Sequence, residues 1–187
     1  MTDADLPVVR LRPKAEARAI RHGFPWVYSD ELVLDRRTQG MAPGSFALLE
    51  DAERRPLAVV TVNPASRIAA RVMDREPSAR MGRDWIAARI ARALEMRERL
   101  YDAPHYRLVH AEADGLPGVV IDRFGSVAVV QPNAAWAEAA LPVLVAALAS
   151  LRAPEGAPVA LTLSTNGSEL RPLAGALRGG RVQRVTV

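Results

Sequence analysis

Short runs in which apolar and polar residues alternate dominate the first 75 positions, and this alternation predicts strands. Four such runs lie at residues 8–11, 45–50, 57–62 and 68–73. After the first run, Lys14–Arg21 has helical spacing that places Lys14, Arg18 and Arg21 on one face, and residues 24–28 form an extended aromatic segment. The pattern predicts a small, mainly β barrel with one early helix over residues 1–75.

The pattern changes after a polar linker at residues 77–82. Asp84 is a candidate N-cap for a helix over Trp85–Leu100. The apolar face of this helix consists of Ile86, Ile90, Ala93, Leu94 and Met96. Strands are predicted at 106–110, 119–122, 127–131 and 159–163, with a second helix at 136–151. Residues 76–163 are therefore predicted to form a small α+β connector domain.

Periodicity fades after Ser164, where Gly175, Gly179 and Gly180 lie among arginines. Residues 164–187 are expected to be an irregular tail or the truncated start of a further domain. The predicted fold class is mainly β plus α+β: a β-barrel followed by the connector. With 49% hydrophobic and 25% charged residues, the composition is that of a globular protein.

The sequence contains no cysteine and three histidines. It therefore offers no disulfide, no thiolate ligand and no cysteine nucleophile. His22, His105 and His110 lack the HxxxH and HExxH spacings of zinc sites. His105 and His110 also have no serine or carboxylate at a triad spacing, so we interpret them as ordinary polar residues. We expect no catalytic residue and no metal.

No apolar run approaches the roughly 18 residues that a bilayer-spanning helix needs. The longest candidate, residues 134–151, is interrupted by Glu138 and Pro142. The acidic N-terminus has no apolar segment of the kind that a secretory signal contains. These features predict a cytoplasmic protein with no membrane partner.

The basic residues are unusual in kind rather than in number. The net charge is +4, and Lys14 is the only lysine among 25 basic residues. Guanidinium groups suit bidentate phosphate contacts in RNA. A compositionally biased genome would produce the same arginine excess, and charge alone leaves both explanations open.

Local clustering supplies candidate RNA contacts. Lys14, Arg18, Arg21, His22 and Trp26 form one group, and Asn63, Ser66, Arg67 and Arg71 are expected on the other side of the barrel. Cations beside an exposed aromatic suit a phosphate track with a stacking platform. The alternative is a solvated helix face plus a core tryptophan. We predict six residues at an RNA surface: Lys14, Arg18, Arg21, Trp26, Asn63 and Arg67.

The carboxylates of residues 112–122 are interpreted as structural rather than as acid–base or metal-binding groups. Asp114-Gly115 and Pro117-Gly118 have the composition of turns, in which Asp bonds nearby backbone and Gly adopts positive φ. Asp122 is expected to pair with its neighbour Arg123.

Three segments resemble a known family. LRP at 11–13 with HGFPWVYS at 22–29, and VNPASRIAARV at 62–72, resemble the N-terminal PUA domain of bacterial 23S ribosomal RNA methyltransferases. These enzymes are of the class I, S-adenosylmethionine-dependent, cytosine carbon-5 type. YRLVHAEADGLPGVVIDRFG at 106–125, the most specific match, resembles the hairpin of their middle domain. The resemblance covers roughly residues 8–150 and implies that the barrel docks RNA.

The chain also departs from that family. The family's catalytic domain carries a glutamine–lysine–threonine–glycine stretch, a cofactor loop and a nucleophilic cysteine, and this sequence contains none of them. NGSELR at 166–171 only weakly resembles the polar segment that precedes that domain. The chain is expected to end early, through truncation, frameshift or choice of fragment. S-adenosylmethionine is accordingly expected for full-length relatives and not for this chain.

Three hypotheses follow. The leading one is the RNA-binding, targeting portion of a ribosomal RNA methyltransferase that is inactive alone. The second is an active class I methyltransferase, as the full-length relatives are. The third is a protein-interaction module, in which the helix at 84–100 or the tail contacts a separate catalytic chain. Homodimer formation is also left open.

Overall fold

The computed structural model describes residues 6–149 and the backbone of two further strands at 160–165 and 169–172. The chain folds as two compact units that divide between Arg80 and Met81. The boundary expected at 75/76 lies a few residues earlier, in the same connection.

Between residues 6 and 80, the first unit contains five strands and two short helices. In chain order these are β1 (Val8–Arg10), α1 (Ala17–Arg21), β2 (Trp26–Tyr28), α2 (Arg36–Gln39), β3 (Ser45–Glu50), β4 (Pro56–Val62) and β5 (Ile68–Asp74). The predicted strands match β1, β3, β4 and β5 to within two residues at each end, because alternation marks strands whose two faces differ in burial.

The five strands form one mixed sheet in the order β1-β3-β4-β5-β2. β1 is parallel to β3, and the other neighbours are antiparallel. The sheet is a half-barrel with β1 and β2 at its edges, together with one isolated bridge between Leu11 and Leu32. The mainly β prediction is confirmed, although this sheet order leaves the predicted barrel open.

Residues of the strands and of α1 form the core of the first unit. Val27, Ala47 and Leu49 are fully buried there, and Ile20 is the buried residue of α1. Burial of this apolar surface contributes roughly 25 cal/mol per Å² to folding. The alternate residues of β2, Trp26 and Tyr28, are only half-buried.

The predicted helix over Lys14–Arg21 is too long. Pro13, Lys14 and Ala15 form a turn in which the Ala15 amide donates to the Arg12 carbonyl at 2.9 Å, and α1 begins only at Ala17. The chain turns here because Arg12 is held by another segment: its amide donates to the Glu31 carbonyl and its side-chain Nε to the Leu32 carbonyl. Lys14 therefore does not share a helix face with Arg18 and Arg21.

Sequence patterning missed α2 altogether. Its signal is an N-cap: the Asp35 carboxylate accepts a hydrogen bond from the Thr38 amide at 2.8 Å. Asp is a favoured N-cap residue, but four residues are too few for a helical period to emerge.

The second unit is α+β, as predicted. Its elements are α3 (Arg83–Leu100), β6 (His105–His110), a 3-10 helix (Ala111–Asp114), β7 (Val119–Phe124), β8 (Val127–Pro132), α4 (Ala135–Ala139), α5 (Leu141–Ala149), β9 (Ala160–Thr165) and β10 (Glu169–Pro172). The strands form a sheet in the order β10-β9-β8-β7-β6.

The sheet of the second unit combines a meander with a crossover. β6, β7 and β8 are antiparallel neighbours, β9 is parallel to β8, and β10 is antiparallel to β9. One face of β7 and β8 is buried, through Val119, Ile121, Ala128 and Val130. α3 packs against β6 and α5, which places the helices beside this sheet.

Three predictions for this unit are wrong in detail. The helix predicted at 136–151 is two helices that break at Ala140, two residues before Pro142, which has no amide hydrogen to donate. The N-cap of α3 is Gly82 rather than Asp84, which lies in the first turn. The backbone at 169–172 is strand rather than irregular tail, because it pairs antiparallel with β9, with Glu169 opposite Thr165. Residues 164–165 of the predicted tail belong to β9, and residues 166–168 and 173–187 lie outside the described residues.

The apolar face of α3 is also narrower than predicted. Ile86, Ile90 and Ala93 are buried, whereas Met96 is exposed. Arg97, four residues after Ala93, takes the next inward position and forms an ion pair there.

Candidate nucleic-acid interface

The strand pair β2–β5 brings the predicted tryptophan and two arginines to one edge of the first unit. Trp26 lies directly opposite Arg71 in the antiparallel register, so their side chains share a face. The Ser29 amide donates to the Arg67 carbonyl at 2.9 Å. Arg67 and Arg71 are therefore adjacent to the strand of Trp26, and the expectation that they lie on the other side of the barrel is wrong.

Asn63 and Arg67 belong to the connection between β4 and β5. The Asn63 carbonyl accepts from the Ser66 amide at 3.0 Å, and the Asn63 amide donates to the Ala69 carbonyl at 2.8 Å. This turn holds both residues next to the end of β2. Arg67 is exposed and Asn63 is half-buried.

Lys14, before α1, and Arg18, on α1, are exposed cations. Lys14 lines a cleft of about 490 Å³. The other lining residues are Arg12, Pro13, Ala15, Glu16, Asp30 and Glu31. Because carboxylates share this cleft, its charge is mixed, and Lys14 has a weaker case as a phosphate contact than Arg18.

Arg21 is already engaged within the protein. Its Nη2 donates to the Oδ2 atom of Asp51 at 2.9 Å, and Asp51 is buried at the β3–β4 turn. Asp51 also accepts hydrogen bonds from the Arg55 and Glu53 amides and from Arg55 Nε. Burial opposes ionisation of Asp51, but the hydrogen bonds from Arg55 and Arg21 outweigh it, so its pKa is lowered from the usual carboxyl value.

Replacing Asp51 with Asn is expected to destabilise the first unit near neutral pH, because the lowered pKa means that the folded state stabilises the carboxylate. A depressed carboxyl pKa contributes stability above the unfolded value, near about 4, and that stability is lost as the pH falls through the folded value. Urea unfolding of both proteins at several pH values measures this. A difference in stability that persists unchanged well below pH 4 would contradict the explanation.

Of the predicted residues, the structure places Trp26, Asn63 and Arg67 at the β2–β5 edge, and Arg18 is exposed on α1. Lys14 lies instead in a cleft of mixed charge, and Arg21 is paired with Asp51.

Sequence reasoning missed Phe24 and Arg75, which the structure brings to the same edge. The Arg75 Nη1 atom lies 3.4 Å from the Arg21 carbonyl oxygen, and the Phe24 ring centroid lies 6.1 Å from that of Trp26. In the sequence, the aromatic run HGFPWVYS at residues 22–29 was the signal from which Phe24 could have been predicted.

In the second unit, Asp114 has the structural role that was predicted, and it forms an ion pair with Arg97, 17 residues earlier in the sequence. Its carboxylate accepts from Arg97 Nη1 at 3.0 Å and Nη2 at 2.6 Å, and from the His110 amide at 2.6 Å. Arg97 Nε donates in addition to the Arg107 carbonyl at 3.0 Å. These contacts tie α3 to β6 and to the turn that follows.

The expected Asp122–Arg123 pair does not form. Neighbouring residues on β7 point to opposite faces of the sheet. Asp122 accepts instead from Arg107 Nε at 2.9 Å across the sheet. Arg123 is buried on the other face, where its Nη1 donates to the Tyr106 hydroxyl at 2.9 Å.

In the segment 106–125, protein atoms limit how closely a ligand could approach Gly115 and Gly118. A glycine cradle needs backbone that a ligand can approach. At Gly118 a Cβ would lie 2.6 Å from the Ala134 Cβ, and at Gly115 it would lie 3.2 Å from Arg89 Nε, so protein atoms already fill both positions. Residues 6–149 also contain no cluster of three metal-binding side chains. Among those same residues, no helix has the length and hydropathy to cross a bilayer.

Comparison with known proteins adds a family to this geometry. Residues 9–75 match a family described as a PUA-like domain. A ribosomal RNA large subunit methyltransferase of Deinococcus radiodurans is 36% identical over 172 residues, which cover 87% of this chain and 41% of the relative. Ribosomal RNA large subunit methyltransferase I of Cronobacter sakazakii is 36% identical over 142 residues, 74% of this chain and 35% of the relative. The chain spans about two fifths of the length of these relatives.

Solved structures agree on the fold. A Streptococcus mutans protein described as a SAM-dependent methyltransferase superposes with a TM-score of 0.74 over 91% of this chain and 43% of its own, at 12% identity. A methyltransferase solved in complex with SAH gives a TM-score of 0.68 over 87% of this chain and 40% of its own. The chain therefore carries a PUA-like domain at residues 9–75 and is homologous over most of its length to the N-terminal part of the bacterial ribosomal RNA large subunit methyltransferases.

Proposed function

We propose that this chain is the RNA-binding, targeting portion of a cytoplasmic ribosomal RNA methyltransferase and does not transfer a methyl group by itself. One observation carries the proposal: the exposed cations Arg18 and Arg67 share with half-buried Trp26 the unit that matches a PUA-like domain. Cations beside an aromatic ring can contact phosphates while the ring contacts a base. Phosphate and shape contacts would dominate over base-edge recognition.

The RNA contacts that we propose are Lys14, Arg18, Trp26, Asn63 and Arg67. Arg21 is expected to contribute less to RNA binding than the sequence suggested, because its guanidinium donates to buried Asp51. Removing Arg21 would disturb that carboxylate, so a loss of RNA binding in an Arg21 variant would not distinguish contact from misfolding. Arg18 and Arg67 are the sharper test residues.

Replacing Arg18 and Arg67 together with Gln is expected to weaken binding of a ribosomal RNA fragment and to lower the salt dependence. Each lost phosphate contact reduces the slope of log K against log salt by about one. A filter-binding titration at several salt concentrations measures both quantities. Arg92→Gln is the matched control, since Arg92 is also an exposed arginine but lies on α3 of the second unit. Absence of binding by the unmodified chain, or binding that salt does not change, would contradict the proposal.

The purified chain is expected to show no measurable binding of S-adenosylmethionine in isothermal titration calorimetry. The reason is that Gly115 and Gly118, in the family-like segment, face protein atoms rather than open space. The sequence also has no cysteine to attack carbon 6 of cytosine. Stoichiometric binding, or methylation of ribosomal RNA by this chain, would favour the active-enzyme hypothesis instead.

A second candidate function is an interaction with protein, either a second copy of this chain or a separate catalytic chain. The observation that favours it is a set of large apolar side chains exposed in the second unit: Met96, Leu100, Tyr101 and Phe124. Light scattering after size-exclusion chromatography tests the homodimer. A concentration-dependent mass that Leu100→Glu lowers to the monomer would support it.

A further inference from the structure

Phe24 is the most exposed aromatic side chain of the first unit among residues 6–80, with 40% of its surface accessible. It precedes the edge strand β2 and contributes nothing to the core cluster of that unit. The accessible part of the ring is free to contact a ligand.

The ring of Phe24 is nevertheless held in place. Its centroid lies 6.1 Å from the Trp26 ring in an edge-to-face contact and 6.3 Å from the Tyr28 ring. The Phe24 amide donates to the Ala19 carbonyl at 2.9 Å, which fixes the backbone to α1. A ring supported in this way loses little freedom when a ligand stacks on it, which favours binding.

Positive charge lies next to the residue that precedes Phe24. Arg75 is exposed, and its Nη1 atom lies 3.4 Å from the Arg21 carbonyl oxygen and 3.5 Å from the point where a Cβ of Gly23 would lie. The guanidinium is therefore beside the residue that precedes Phe24. The nearby Glu76 carboxylate accepts from the Ser78 amide and hydroxyl.

We propose that Phe24 stacks on an unpaired RNA base while Arg75 contacts the phosphate beside it, so that the first unit prefers single-stranded to double-stranded RNA. This inference rests on the proposed RNA-binding function and names the class of RNA. In a duplex, neighbouring bases cover each other's faces, and A-form grooves present edges and hydroxyls. Only a splayed base offers a face to Phe24. Stacking on a benzyl ring is tolerant of base identity, so no sequence preference is expected from this contact.

The test uses the full chain and a fluorescent oligoribonucleotide, either unpaired or annealed to its complement. Fluorescence anisotropy is expected to show tighter binding of the unpaired strand. Phe24→Leu should weaken that binding by about tenfold, the order of effect of losing one stacked base, and should leave duplex binding unchanged. Phe24→Tyr, which keeps the ring, should retain binding, and Arg75→Gln should weaken it and lower the salt slope.

Val33→Thr is the matched control, because Val33 is the other large apolar side chain exposed among residues 6–80. It should bind both RNAs as the unmodified chain does. Equal binding of both RNAs, together with no effect of Phe24→Leu, would overturn this inference and leave RNA binding intact. Failure of the unmodified chain to bind either RNA would overturn the proposed function itself. A Phe24→Leu variant that loses self-association but not RNA binding would assign the ring to a protein contact and overturn the stacking role.

Discussion

Replacing Asp114 with Ala is expected to lower the free energy of unfolding of the second unit by about 3–5 kcal/mol. The side chains of Asp114 and Arg97 are only 5% and 13% exposed, so the variant leaves a guanidinium without its counter-charge in a nearly buried site. It also leaves the His110 amide without its acceptor. Urea unfolding followed by far-UV circular dichroism measures the change.

The matched control is Asp122→Ala, which removes another bidentate carboxylate–arginine pair from the same unit. The Arg107–Asp122 pair is 46% and 20% exposed, and its contribution is screened by solvent. We expect a loss below about 1 kcal/mol. Equal losses in the two variants would contradict the explanation, because burial is the main difference between the pairs.

Replacing Gly118 with Ala is expected to cost about 2–4 kcal/mol, for two reasons that add. Its φ of +73° is a conformation that costs a residue with a Cβ roughly 1–2 kcal/mol. The new Cβ would also lie 2.6 Å from the Ala134 Cβ and 3.4 Å from the Ala134 amide nitrogen, so the start of α4 must shift. Thermal or urea unfolding of the full chain measures the loss.

Gly125→Ala separates the cost of the backbone conformation from the cost of the close contact. Gly125 has a similar φ of +62°, but no heavy atom lies within 4 Å of the position of its Cβ. Only the conformational cost of roughly 1–2 kcal/mol should remain. If Gly118→Ala were no worse than Gly125→Ala, close packing against Ala134 would not be the reason for a glycine at position 118.

Much of the candidate site was visible in the sequence as a set of residue types, but not as an arrangement. Arg18, Trp26 and Arg67 were predicted from cations near an aromatic residue, and all three lie in the first unit with exposed or half-buried side chains. Arg71 was placed on the wrong side, because strand order decides which residue faces Trp26, and β2 pairs with β5 rather than with a strand near it in sequence.

The sequence likewise does not show that Phe24 and Arg75 lie near each other. Their neighbourhood joins segments about fifty residues apart, through the contact of Arg75 with the Arg21 carbonyl. No spacing rule connects positions so distant, since the periods of helices and strands relate only residues within a few turns or pleats of each other.

By itself, the sequence determined where most strands and the long helix lie, that the chain has two kinds of folded unit, and that no thiol is available for covalent chemistry. These are local or compositional properties. Only the tertiary structure decided which arginines remain available to a ligand. Arg21 and Arg97 are held by acids 30 and 17 residues away, whereas Arg18, Arg67 and Arg75 are exposed. The physical reason is that the partner of a charge is set by strand register and packing, which bring together residues that the order of the chain keeps apart.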